Sequence, residues 1–162
     1  MKIFSAKQLS ELVVKAEDSS RLRQHQNIHE GFGEPCQRLF NAIEPGSYIQ
    51  PHRHSSVLRD ELFVAIRGLM ALVTFDDDGQ VQGVVHFGSE KYGPELAVGV
   101  EVDSETWHTV VALKSGSILL EVKAGPFDPA QPKDLASWAP SENSADAEAY
   151  MQQLNQLIHD RT

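Results

Sequence analysis

Seven histidines stand in this chain of 162 residues, and three of them are spaced for metal chemistry. His52 and His54 lie two apart in Tyr48-Ile49-Gln50-Pro51-His52-Arg53-His54. On a strand, residues i and i+2 point to one face, so two imidazoles project side by side, as two ligands of one first-row metal must. Pro51 has no amide proton and is confined to a strand edge or end, which places the pair near a rim. Taken alone, His-x-His favours two exposed histidines at a strand end over a ligand pair. Two further residues shift that balance. Glu61 opens the apolar run Glu61-Leu62-Phe63-Val64-Ala65-Ile66-Arg67, where a carboxylate is costly to bury unless it is paired or ligates something. His108 heads another run, Trp107-His108-Thr109-Val110-Val111. Three imidazoles and one carboxylate suit Zn, Fe, Mn, Ni or Cu.

Other polar groups are candidates for the same cavity. Tyr48 and Gln50 share the parity of His52 and His54, so they are expected on the same face. Arg23, His25, Asn27 and His29 share one parity if 23–29 is extended, facing either a wet pocket or bulk solvent. In Ser117-Ile118-Leu119-Leu120-Glu121-Val122-Lys123, one face carries Leu119, Glu121 and Lys123, and the other Ile118, Leu120 and Val122. A Glu121–Lys123 pair beside a metal can handle protons. The same pair reads equally well as a cross-strand ion pair worth at most ~1 kcal/mol. Arg38 and Arg53 are candidates to clamp a carboxylate or phosphate, although Arg53, between the two histidines, points away from their face. By the same parity Trp107 faces away from His108. Cys36, the single cysteine, reads as a small buried or turn residue. No nucleophile elbow, P-loop or dinucleotide fingerprint is present.

Short β-rich runs must position these side chains. They fall at about 37–42, 47–54, 61–67, 69–75, 80–87, 96–102, 107–113 and 117–124, separated by turn residues. Asp78-Gly79 is a hairpin signal between two of them. Many short strands at this spacing predict a sandwich or barrel, and a barrel brings interior positions from different strands together. Helices flank the runs. Ser5 can cap the first, where Leu9, Leu12, Val13 and Ala16 recur at helical spacing. From Ser144 a second helix carries Tyr150, Met151, Leu154, Leu157 and Ile158 as one apolar stripe. Between them, 125–143 is too rich in proline for a regular element and reads as an irregular strap.

Composition bounds the function. The chain is 41% hydrophobic and 23% charged, which excludes global disorder. Fourteen Lys and Arg against 23 Asp and Glu leave a formal charge of −9. That field repels nucleic acid and anionic membranes, while leaving room for a local basic pocket for one phosphate. One cysteine excludes an intramolecular disulfide and a thiolate zinc cluster. No membrane span and no secretory signal is read, so the expectation is a cytoplasmic single domain.

The motifs resemble those of the cupin superfamily. Five residues separate Gly46 from His52, and six separate Glu61 from Gly68, as in the first cupin motif. Six residues separate His54 from Glu61, a longer loop than that motif has, which leaves Asp60 as an alternative carboxylate. Of the second motif His108 is present, with Asp103, Glu105 and Ala112 at its other positions. Outside the motifs the chain is similar to WbuC-type cupin fold metalloproteins over roughly 21–140. The similarity runs through Arg21, Arg23, Asn27, His29, Gln37-Arg38-Leu39, Trp107-His108-Thr109, Glu121-Val122-Lys123 and Lys133-Asp134.

The resemblance implies a mainly β fold: a cupin double-stranded β-helix (jelly-roll) barrel with short N-terminal and C-terminal helices. It divides the chain into an N-terminal helix (1–20), the barrel (21–124), and a strap with the C-terminal helix (125–162). It implies one divalent transition metal (Zn, Fe, Mn or Ni) at His52, His54, Glu61 and His108. Asn27 and His29, with Arg38 and Gln50, become candidate substrate contacts, and Glu121, Lys123 and Tyr48 candidate catalytic groups. It implies an association with surface-polysaccharide metabolism and therefore a small-molecule ligand such as a sugar or sugar nucleotide. Isomerisation or epimerisation is the expected reaction, with an Fe-dependent dioxygenase and a non-catalytic ligand-binding or regulatory module as the alternatives. A homodimer is expected from the jelly-roll habit and the apolar strand faces.

Overall fold

The computed structural model describes residues 1–54, 59–130 and 133–161. Residues 55–58 of the loop ahead of Glu61 and residues 131–132 of the strap lie outside the described residues. Helix α1 (Ala6–Glu17) starts at Ser5, whose hydroxyl accepts from the Gln8 amide while the Gln8 side chain accepts from the Ser5 amide. Ten strands follow among the described residues: β1 (Arg23–Asn27), β2 (Cys36–Ile43), β3 (His52–Arg53), β4 (Glu61–Arg67), β5 (Leu69–Phe75), β6 (Val81–Gly88), β7 (Gly99–Val102), β8 (Trp107–Ala112), β9 (Ser117–Ala124) and β10 (Asp134–Leu135). Helix α2 (Ala147–Asp160) closes the chain. None of the described helices is long and apolar enough to cross a membrane.

The strands form two five-stranded sheets, in the orders β1-β2-β9-β4-β7 and β10-β3-β8-β5-β6. Pairing between these strands is antiparallel throughout. The result is a jelly-roll barrel, and the period of two explains its layering. Ile43, Phe63 and Leu119 of one sheet pack against Met70, Leu72 and Val110 of the other. The alternate residues face outward and are covered by helices. Phe40, Ala42 and Ile118 meet Leu12 and Ala16 of α1. Ala71, Val73 and Val111 meet Met151, Leu154 and Ile158 of α2. Strands buried on both faces therefore read as continuous apolar runs.

Turn chemistry holds the corners. Gly68 joins β4 to β5 at φ +79, and a Cβ there would stand 2.6 Å from the Ser117 backbone. Asp76 Oδ1 accepts the amides of Asp78 (3.0 Å) and Gln80 (2.8 Å), which sets the β5–β6 hairpin.

Two segments depart from the sequence reading. The run 47–54 contributes only His52–Arg53 to a sheet. Pro51 cannot donate to a ladder. The residues before it are held by side chains instead: Ser47 Oγ donates to the Arg21 carbonyl, Tyr48 Oη to Pro140, and Gln50 Nε2 to Ala136. The strap contains a short strand, β10, which pairs Asp134 with Arg53 and Leu135 with His52. It therefore supports the His-x-His segment on its free edge.

Candidate metal centre

Register brings the polar groups together. His52 of β3 is the direct cross-strand partner of His108 of β8. In the opposite sheet, Glu61 of β4 is the partner of Lys123 of β9. Packing the two sheets face to face sets these pairs against each other. One donor atom from each of His52, Glu61 and His108 lies within 4.8 Å of the others, a group that can hold a metal ion. His54 joins them, its Nε2 3.2 Å from Glu61 Oε2. Its amide donates to the Ser104 carbonyl at 2.7 Å, which fixes the chain just after β3. Asp60 Oδ1 instead accepts the Ser104 amide at 3.0 Å.

The ring nitrogens are oriented by the backbone. His52 Nδ1 lies 3.1 Å from the Gln50 carbonyl and His108 Nδ1 2.9 Å from the Thr106 carbonyl. A carbonyl only accepts, so each Nδ1 carries a proton, which leaves each Nε2 as the ring atom directed toward the centre. His108 Nε2 is 3.1 Å from Glu61 Oε2. Two lone pairs at that distance require a proton or a cation between them. His54 Nε2 is buried and makes no hydrogen bond among the described residues. Three inward imidazoles, one with a buried Nε2 that faces the Glu61 carboxylate, fit a divalent first-row ion together with that carboxylate.

The surroundings are strongly electrostatic. Glu61 is 2% exposed. Burial opposes its charge, but the rings of His108 and His54 against it and the nearby Lys123 ammonium hold its carboxyl well below the usual range. Lys123 Nζ donates to Glu61 Oε1 and pairs with Glu121 Oε1, each at 2.8 Å. Burial disfavours that ammonium too, yet the two carboxylates push its pKa upward. Burial, with Lys133 and His108 nearby, lowers His52 well below the usual imidazole range.

These groups line a cavity of about 420 Å³. Glu121 and Lys123 reach it with the four residues above. Asn27, His29, Arg38, Tyr48 and Gln50 do not line it. Tyr48 packs instead on Tyr150, with ring centroids 5.8 Å apart, because strand alternation does not extend back past Pro51. Gln50 is tied to the strap through the Ala136 carbonyl at 3.0 Å. The ring of His29 hydrogen-bonds the backbone of Arg38, and Arg38 itself pairs with Glu34. Asn27 is exposed at the end of the edge strand β1.

Sequence reasoning left Asn41, Phe127 and Lys133 out of the cavity and did not assign Arg23 and His25 a role there. Asn41 could have been found from its register opposite Leu119. Lys133 carries no periodic signal, because it sits in the strap.

Among solved structures, the chain is similar in fold to protein SO0799 from Shewanella oneidensis (TM-score 0.56, 9% identity, 83% of each chain covered). It is similar to TT1209 from Thermus thermophilus (TM-score 0.53, 16% identity, 77% of this chain and 98% of that one). It is also similar to Bacillus subtilis oxalate decarboxylase, a protein with Mn(II) centers (TM-score 0.50, 16% identity, 70% of this chain and 27% of that one). No curated protein matches the chain. The family described as a domain of unknown function, DUF6016, matches residues 4–87. A β barrel of cupin type with a His and Glu cluster between its sheets is thus the form taken by this chain, which belongs to the DUF6016 family.

Proposed function

We propose that the protein holds one divalent transition metal through His52, His54, Glu61 and His108, and uses it to bind or convert a small molecule in the barrel cavity. The observation that carries this reading is the approach of His108 Nε2 and His54 Nε2 to one carboxylate oxygen of Glu61, at 3.1 and 3.2 Å. The Mn(II) of the oxalate decarboxylase supports a metal in a barrel of this fold. A bound divalent ion supplies Lewis acidity toward an oxygen of the ligand.

The chain's own residues divide the remaining work. Lys123, kept as an ammonium by Glu61 and Glu121, holds both carboxylates in place and is a poor proton acceptor near neutral pH. Glu121, which lines the cavity, is the group available to move a proton. Tyr48, packed on Tyr150 with its hydroxyl donating to the Pro140 carbonyl, is given no part in that role. Similarity to WbuC-type proteins favours a sugar or sugar nucleotide of surface-polysaccharide (O-antigen) metabolism as the ligand, in the cytoplasm, with isomerisation or epimerisation as the reaction. The firm Lys123 ion pairs favour a second reading, a binding or regulatory module without turnover.

Purified protein loaded with Zn, Mn, Fe or Ni and incubated with sugar nucleotides separates the two, with products followed by NMR. Turnover that is lost in Glu121→Gln supports the enzyme, and binding without product supports the module. Failure to retain any of the four metals overturns the metal centre. Apolar side chains exposed on the strands, Leu62 and Val85 among them, favour a homodimer. Sedimentation at a single chain's 18.0 kDa would reject it.

A further inference from the structure

Cations crowd the cavity of an otherwise acidic chain. The protein carries −9 overall, yet Arg21, Arg23, Lys123 and Lys133 line the cavity against Glu61 and Glu121. Any bound divalent ion adds to that excess. Lys123 is neutralised by its two carboxylates at 2.8 Å. Arg23 and Arg21 both pair with Glu142, which lies in the segment before α2 and lines a neighbouring pocket.

Lys133 has no such arrangement. Among the described residues its ammonium makes no hydrogen bond and no ion pair within 4.0 Å. It is half-buried, and burial lowers its pKa. Glu142 and Glu61 attract it from a distance, while Arg23 and Lys123 repel it. It lines the same cavity as His52, His54, Glu61 and His108. A half-buried ammonium with no counter-charge in contact is a ready partner for a bound anion. Cationic walls in a low-dielectric cleft also concentrate anions there, whatever the net charge of the whole protein.

We propose that Lys133 anchors an anion subsite in this cavity, taking the carboxylate or phosphate group of a small-molecule ligand. Arg23 shares the wall, with its guanidinium engaged by Glu142, which lines a neighbouring pocket. The strap is what brings Lys133 there. Pairing of Asp134 with Arg53 sets its position directly beside the His-x-His strand. The inference rests on the small-ligand reading of this cavity and is independent of the metal.

Calorimetry on the full-length protein tests it, with inorganic phosphate, malonate and neutral galactose as probes, in chelator-treated and metal-loaded forms. At least one anion is expected to bind, and Lys133→Met is expected to weaken it by about tenfold or more, the worth of one charge-assisted hydrogen bond. Lys133→Arg is expected to stay close to wild type, which distinguishes loss of charge from loss of fold. A preference for phosphate would point to a phosphorylated ligand or nucleotide, and one for malonate to an organic acid. Galactose binding without anion binding would overturn the subsite while leaving the small-ligand reading intact. Unchanged anion affinity in Lys133→Met would overturn it as well. Anion binding through Lys133 in a protein that retains no metal would uphold the subsite and overturn the metal centre.

Discussion

Glu61 Oε2 lies 3.1 Å from His108 Nε2, although 47 positions separate the two residues in the chain. They belong to opposite sheets, so closure of the barrel alone creates the contact. Neither residue has a local reason to be buried at 1–2% exposure. Each does so because the other, with His52, His54 and Lys123, completes a polar cluster inside an apolar shell.

The cluster makes a direct prediction about metal content. His52→Ala and His108→Ala are each expected to abolish stoichiometric metal, read by elemental analysis of purified protein. Glu61→Ala should weaken binding, whereas Asp60→Ala should keep it, because Asp60 is engaged by the Ser104 amide. Full occupancy in both histidine variants would reject the assignment.

Lys123 makes a prediction about stability. Lys123→Met leaves Glu61 and Glu121 without their shared cation. Removing one partner of a buried pair costs roughly 3 kcal/mol. The thermal midpoint should fall in the metal-free protein and recover in part when metal is added. An unchanged midpoint would mean that the three charges are solvated.

At Gly68 the prediction concerns the backbone. Its φ of +79 disfavours any side chain, and a Cβ would clash with Ser117 Oγ. Gly68→Ala should destabilise the fold by roughly 2 kcal/mol or more, measured by urea denaturation. Gly116→Ala is the control for φ alone, since nothing lies within 4 Å of its Cβ position.

Alkaline pH tests the packing of α2. Burial pushes the Tyr150 phenol up to about 12, and burial with Tyr150 alongside raises Tyr48 as well. In the unfolded chain both ionise near 10. Between those values the unfolded state has lost protons that the folded state keeps, so stability is full below about pH 10 and falls above it. Tyr150→Phe should flatten that fall in denaturant titrations from pH 9 to 12. An identical slope in the variant would place the alkaline loss elsewhere.

The elements of this fold were legible wherever a local rule governs them. Ser5 announces the start of α1, the stripe from Tyr150 to Ile158 announces α2, and alternation marks β9 with Glu121 and Lys123 on one face. Alternation misled at Tyr48 and Gln50. It applies only while a ladder holds the chain flat, and here the ladder begins at His52. Arg38 lies outside the cavity lining for a different reason. Its charge suggested a ligand, but Glu34 four residues earlier already meets it.

Residue type and spacing alone therefore determined the layered β architecture and the chemical nature of the donors, since both follow from the period of the strand and the lone pairs of the side chains. Tertiary structure decided the rest. Lys133 entered the cavity because a two-residue pairing pulled the strap along β3, and Arg23 met Glu142 across 119 positions. Such contacts depend on where distant segments dock, which no local pattern encodes.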